Sequence, residues 1–282
     1  MTPWHQWNSH LQRVVTGFLL AVPLLAILAF GPSWSVVLLV AVAAGVGLWE
    51  FQGLLFPEGL PTPWMTLYIA LGLILPAAAA MGGHTGLHMA LAGTLFMGFL
   101  VPLAVSPGEE ASLLRLSRFS LGWLYVPYLL SYALLIENQE AGRAWLFFIL
   151  LVVTSCDAGA YYSGRQWGKR KLYERVSPKK TVEGSIGGLA VSMALGTVFG
   201  ILFLSHVPVW WFPPLSAGLA VVSQVGDLME SMVKRMSGKK DSSTLLPGHG
   251  GILDRLDSLL FSFPATWFFL KGLESGVIFG VR

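Results

Sequence analysis

VWWFPPLSAGLAVVSQVGDLME (residues 209–230) runs directly into SMVKRMSGKKDSSTLLPGHGGILDRLDS (231–258), and this junction decides how the chain is read. The first piece is apolar over the length that a membrane crossing needs, about 20 residues. The second holds five basic residues, three aspartates, one histidine and a Gly-Gly pair. In a chain of 282 residues of which 12% are charged, such a concentration beside a membrane segment is a poor fit to packing alone. Phosphate and a divalent metal are the ligands that such a mixture suits.

The rest of the chain reads the same way. Its hydrophobic fraction is 54% and its mean hydropathy +0.65, whereas soluble domains run at roughly 45 to 50% apolar with about 25% charged residues. Apolar runs fall at 12–30, 33–50, 63–81, 86–105, 118–136, 144–163, 185–205, 209–230 and 253–270. The expected fold is all-α, a polytopic membrane helix bundle with about nine transmembrane helices. No Ala-x-Ala cleavage pattern follows the first run, so that helix is expected to stay. Trp4 and Trp7 of the leader suit a surface-lying anchor, because indoles favour the headgroup region.

Lys and Arg collect on the cytoplasmic side of membrane proteins. With nine helices, Arg143, Lys271 and Arg282 fall on one side and the other 15 of the 18 basic residues on the opposite side. This places the N-terminus and both basic loops in the cytoplasm and the turn from Glu137 to Glu140 outside. The net charge of +3 gives no sign of nucleic-acid binding. The single Cys156 allows no intrachain disulfide and reads as a small packing residue.

Residues 1–143 hold almost nothing ionisable within their helices and read as an N-terminal scaffold; Glu50 is the exception, and a solvated carboxylate at a helix end is the preferred reading. Residues 144–282 differ, since Asp157, Asp227, Glu230, Asp254 and Asp257 lie within or at the ends of apolar helices, where ionisable groups are expensive and point to function. This region is expected to be catalytic, with cytoplasmic basic loops. Asp227, Glu230, Ser231 and Lys234 share one helical face, and Asp254, Asp257 and Ser258 repeat the spacing. Asp227 and Asp254 can thereby be aimed at one point, as hard oxygen ligands suited to Mg2+. For Glu230 and Asp257, pairing with Lys234, Arg235 or Arg255 competes with ligation.

Asp157, Tyr161 and Arg165 line one helix face that leads to a basic loop ending in SPKKTVEGSIGG (177–188). There Lys179, Lys180 and Thr181 supply donors, and a glycine-rich helix start suits phosphate; small residues for helix packing are the competing explanation. His249 lacks the paired spacing of a zinc site, which leaves a hydrogen bond to phosphate or a loop-shaping role. His84, His88 and His206 read as structural.

The pattern Ser231, Lys234-Arg235, Lys240-Asp241, Pro247, His249-Gly250-Gly251, Asp254-Arg255 and Asp257 resembles that of the phosphatidate cytidylyltransferase family, the CDP-diacylglycerol synthases, without departure. Asp157, Ala160-Tyr161, Gly164-Arg165, Gly168-Lys169 and SPKKTVEG are similar to it as well, so the likeness covers about residues 150 to 260. The resemblance implies that CTP and phosphatidic acid give CDP-diacylglycerol and pyrophosphate, with magnesium. It implies metal binding by Asp227 and Asp254, and phosphate binding by Lys179, Lys180, Lys234, Arg235, Lys240 and Arg255, with Thr181, Ser231, His249, Gly250 and Gly251 beside them. Asp157 is left to orient a basic group, touch the nucleotide or support a second cation, and Asp241 to shape a turn or assist catalysis.

The chemistry agrees on independent grounds. A phosphate monoester has its second pKa near 6, so the nucleophile arrives ionised and needs no general base. What remains is to bring two polyanions together and stabilise the leaving pyrophosphate, a task for metal ions and Lys/Arg clamps. A CTP-dependent lipid kinase is the alternative within enzymology, and an anion or proton-coupled transporter the alternative outside it. The halves show no repeat of the kind transporters carry. Small-residue helix faces permit a homodimer without requiring one.

Overall fold

Backbone groups in lipid have no water to bond, so runs of Leu, Val, Ala and Gly of this length close their own hydrogen bonds as helices. In the computed structural model, which describes residues 9–105 and 110–276, the helices are α1 (Ser9–Phe30), α2 (Ser33–Leu55), α3 (Thr62–Val105), α4 (Glu110–Trp123), α5 (Leu129–Glu137), α6 (Gly142–Trp167), α7 (Val182–Phe203), α8 (Phe212–Met236), α9 (Leu253–Leu260) and α10 (Ser262–Glu274). A π-helical turn, Leu124–Tyr128, links α4 to α5. Among the described residues, five helical segments are long and apolar enough to span a bilayer. The protein is a polytopic helical membrane protein. The expected anchor at Trp4 and Trp7 lies outside the described residues, as does Arg282.

Two of the expected runs need comment. Residues 63–81 and 86–105 fall within α3, which is broken at Gly83, where φ is 57° and ψ −146°. A straight helix would hold Leu71 and Thr94 about 34 Å apart; instead the Thr94 hydroxyl donates to the Leu71 carbonyl at 3.3 Å. The two runs therefore fold back on each other. The run 253–270 is divided between α9 and α10 around Phe261, and neither piece has the length of a span.

The chain forms two compact units, the first made of the described residues up to Leu134 with Met236–Leu256, the second of Leu135–Arg235 with the residues from Asp257 onward. The first unit is built on aromatic packing. Tyr68, Phe119 and Trp123 are buried together, with Tyr68 and Phe119 centroids 4.8 Å apart and the Trp123 indole donating to the Tyr68 carbonyl at 2.8 Å. In the second unit, Gly184, Gly188, Ser192, Gly196 and Gly200 recur every four residues along the buried face of α7. A Cβ at Gly188 would meet the Cys156 carbonyl of α6 at 2.6 Å, so small residues bring these backbones together. Cys156 is fully buried there, as a packing residue should be.

The basic loop is a short antiparallel hairpin of β1 (Lys171–Tyr173) and β2 (Ser177–Thr181), pairing Lys171 with Thr181 and Tyr173 with Ser177. Thr181 ends the hairpin and caps α7, its hydroxyl accepting from the Gly184 amide at 3.1 Å. Glu183 fastens the hairpin's other end, accepting from the Lys169 and Arg170 amides and from the Arg170 guanidinium.

Candidate active site

In the second unit, the end of α6, the β-hairpin, the start of α7 and the polar stretch of α8 enclose a cavity of about 380 Å³. Asp157, Lys179, Lys180, Thr181 and Asp227 all line it, with Arg165 and Gln224. Residues 70 positions apart in sequence, Asp157 and Asp227, thus meet around one space. The Lys180 ammonium donates to Asp227 Oδ2 at 2.5 Å, and the Ser231 hydroxyl donates to Oδ1 at 3.2 Å. Lys179 is exposed and Lys180 half-buried, so a polyanion entering the cavity meets ammonium groups backed by carboxylates. Gln224 joins the wall through hydrogen bonds to Ser185. Its signal in the sequence was a lone amide in the apolar run of α8.

Lys234 has different surroundings from those expected of a phosphate clamp. It is 8% exposed, and its ammonium donates to the fully buried Glu230 at 2.8 Å. Of the two readings for Glu230, pairing is the one realised. Arg235 and Lys240 are exposed.

The Pro247 to Arg255 part of the motif belongs to the first unit, where it packs on α1 and α2. The Thr16 hydroxyl donates to the Pro247 carbonyl at 3.1 Å, and the His249 ring lies against Gly17. The Arg255 guanidinium donates to the His249 carbonyl at 2.9 Å, closing the loop on itself. Asp254 Oδ2 accepts from the Ser242 amide at 3.0 Å, the Ser242 hydroxyl at 2.9 Å and the Gly251 amide at 2.7 Å. This gives Asp254 a loop-holding role at the start of α9. Neither glycine has room for a side chain: Gly250 has φ of +80° and a Cβ there would stand 2.5 Å from Asp254 Oδ2, and a Cβ on Gly251 would lie 2.1 Å from the Ser242 hydroxyl.

Glu50 is the residue whose place the sequence did not reveal. It is 2% exposed rather than solvated. Its carboxylate accepts from the Ser242 hydroxyl at 3.1 Å, the Ser243 hydroxyl at 2.7 Å, and the Ile252 and Leu253 amides at 3.0 and 2.7 Å. A buried carboxylate is tolerated only when its oxygens are satisfied, and these are. The signal was a single acid in an otherwise apolar helix.

Against this geometry, a profile described as the cytidylyltransferase family matches residues 11–273. The chain belongs to this family. The phosphatidate cytidylyltransferase of Bacillus subtilis (strain 168) is 31% identical over 261 residues, covering 92% of this chain and 97% of that one. That of Mycobacterium bovis is 34% identical over 270 residues, covering 91% and 87%. A third, from Haemophilus influenzae, is 47% identical over 133 residues, covering 45% and 46%. Family membership gives no support to the transporter or lipid-kinase alternatives.

Hard oxygen donors fit Mg2+. Among the described residues, no group of three or more His, Cys, Asp or Glu side chains is placed to hold a metal. Mg2+ does not require one, because it keeps several waters and takes one or two carboxylates plus substrate phosphates. Asp227, carboxylate in the cavity wall with a side chain 26% exposed, meets that requirement.

Proposed function

We propose that this cytidylyltransferase-family protein transfers the cytidylyl group of CTP to phosphatidic acid, giving CDP-diacylglycerol and pyrophosphate in the bacterial inner membrane. The observation that supports this best is the cavity that gathers Lys179, Lys180, Asp157 and Asp227 at the ends of apolar helices, in a chain whose relatives carry that name.

An ionised phosphate oxygen of the lipid attacks the α-phosphorus of CTP. A new P–O bond forms there as the bond to the β-phosphate breaks, and the pyrophosphate leaves with the electron pair. Lys179 and Lys180 hold the phosphates and offset the charge that brings the two polyanions into repulsion. Lys180, paired with Asp227 in the structure, turns to substrate as the anion enters. The resemblance assigns further phosphate contacts to Arg235, Lys240 and Arg255, with Ser231, Thr181, His249, Gly250 and Gly251 in support, while Lys234 steadies α8 through Glu230. Asp227 would hold Mg2+, with Asp254 as the second ligand expected from helical spacing and the resemblance, and Asp157 beside a second cation or a basic group. When bound, the metal would supply charge for the leaving pyrophosphate.

CTP reaches the site from the cytoplasm and the lipid from the inner leaflet, with the N-terminus and the site on the cytoplasmic side. Purified protein incubated with phosphatidic acid, CTP labelled in the α-phosphate and Mg2+ is expected to move label into the lipid phase and release pyrophosphate, and to do neither with chelator. Label absent from the lipid, or CDP formed beside a newly phosphorylated lipid, would sink this reading.

A further inference from the structure

We propose that Glu50 is a positioning residue for the reaction: its buried carboxylate holds the Ser242–Leu253 loop on α2 and, through the Ser242 hydroxyl, sets the orientation of Asp254. The idea rests on the activity proposed above and adds to it a residue from the half of the chain that carries no motif.

The geometry is closed on every side. Each Glu50 oxygen receives one hydroxyl and one amide: Ser243 and Ile252 on Oε1, Ser242 and Leu253 on Oε2. The Leu253 amide opens α9 and the Ile252 amide directly precedes it; N–H groups at a helix start need acceptors, so Glu50 caps that helix from far away in sequence. Ser242 Oγ lies 3.1 Å from Glu50 and 2.9 Å from Asp254 Oδ2. A hydroxyl carries one proton and donates to one carboxylate at a time, so the two acids compete for it, and a change in Glu50 is felt at Asp254. Lys239 adds a second tie, its ammonium donating to the Gly53 carbonyl of α2 at 2.7 Å. Gly251 leaves room for this arrangement, since a Cβ there would stand 2.5 Å from both Glu50 oxygens.

Glu50→Gln keeps the volume of the side chain and replaces one of its two acceptor oxygens by an amide nitrogen, which donates where two donors already point. Glu50→Asp keeps the charge but withdraws it by one methylene. Two readouts on the full-length protein in lipid nanodiscs separate positioning from general stability. A spin label on Leu245→Cys reports loop mobility, and one on Tyr173→Cys in the hairpin is the control; both parent side chains are exposed and Cys156 is buried. Glu50→Gln is expected to sharpen the Leu245 spectrum, leave the Tyr173 spectrum unchanged and lower kcat by roughly 10- to 100-fold, as replacing residues that orient metal ligands does. The Michaelis constant for CTP should change little, since the lost interaction is one realised in the transition state. Glu50→Asp is expected to fall between wild type and Gln in both readouts. An unchanged Leu245 spectrum overturns the proposal, as does a kcat within about twofold of an active wild type. A wild-type protein that makes no CDP-diacylglycerol would count against the activity instead, and the Leu245 spectra would still decide whether Glu50 holds the loop.

Discussion

Asp227 shows how much of the site was legible residue by residue. Its place in an apolar helix and its spacing to Ser231 marked it, and the structure puts it in the cavity wall with the Ser231 hydroxyl on one oxygen and Lys180 on the other. The Lys180 contact is partly exposed, so its loss should cost stability no more than about 1 kcal/mol. Loss of a metal ligand acts on charge in the transition state, worth several kcal/mol, and every 1.36 kcal/mol or so is a factor of ten. Asp227→Ala is therefore expected to lower turnover by at least roughly 100-fold while the melting temperature in detergent moves by only a few degrees. Near-normal conversion of CTP and phosphatidic acid would remove Asp227 from the proposed metal-binding role. Glu50 was not legible in this way, because the donors that explain it lie 192 to 203 residues further along the chain. Local spacing carries no trace of such a contact. Lys234 illustrates the opposite limit: the motif named it and its spacing allowed a pairing with Glu230, but only the fold decides between that pairing and a phosphate contact.

At the scale of elements, hydropathy reveals helices well and their interruptions poorly. The apolar runs reappear as α1 to α8, whereas the break at Phe261 and the hairpin depend on a few residues that no period of 3.6 or 2 marks clearly. β1 and β2 contain three and five residues, too few for alternation to be read among so many lysines. The small residues of SPKKTVEGSIGG supported two readings, phosphate or packing, and α7 uses them for packing along its length while Thr181 and Gly184 form its capped start beside the cavity. The Gly188 position tests this. A methyl group there must displace the Cys156 backbone, for which no rotamer change compensates. Gly188→Ala should destabilise by about 1 to 3 kcal/mol, read as a lower melting temperature in detergent. Gly93→Ala in α3, where a Cβ meets nothing within 4 Å, should stay within roughly 0.5 kcal/mol of wild type. Equal shifts for the two would show that α6 and α7 are not held by close backbone contact.

For the whole molecule, the membrane assignment and its direction come from different quantities. Hydropathy says which helices cross, but only charge asymmetry says which end faces the cytoplasm. α6 gives the cleanest test because it is a single apolar helix of 26 residues, about 39 Å long, enough to cross the hydrocarbon core of roughly 30 Å. Its start follows the acidic Glu137 to Glu140 turn and its end leads into the hairpin, where Lys and Arg are dense. Anionic headgroups and the membrane potential both favour keeping that density inside. Glu140 and Tyr173 are exposed at these two ends, and Cys156 between them is buried, so single cysteines report orientation without background from the native thiol. In spheroplasts of a bacterial host, a membrane-impermeant maleimide is expected to label Glu140→Cys directly and Tyr173→Cys only after the membrane is permeabilised. The opposite pattern would put the Lys179 and Lys180 cavity outside the cell, away from CTP, and the proposed reaction would fall with the orientation. Labelling of both positions in intact spheroplasts would mean that α6 does not cross the bilayer at all.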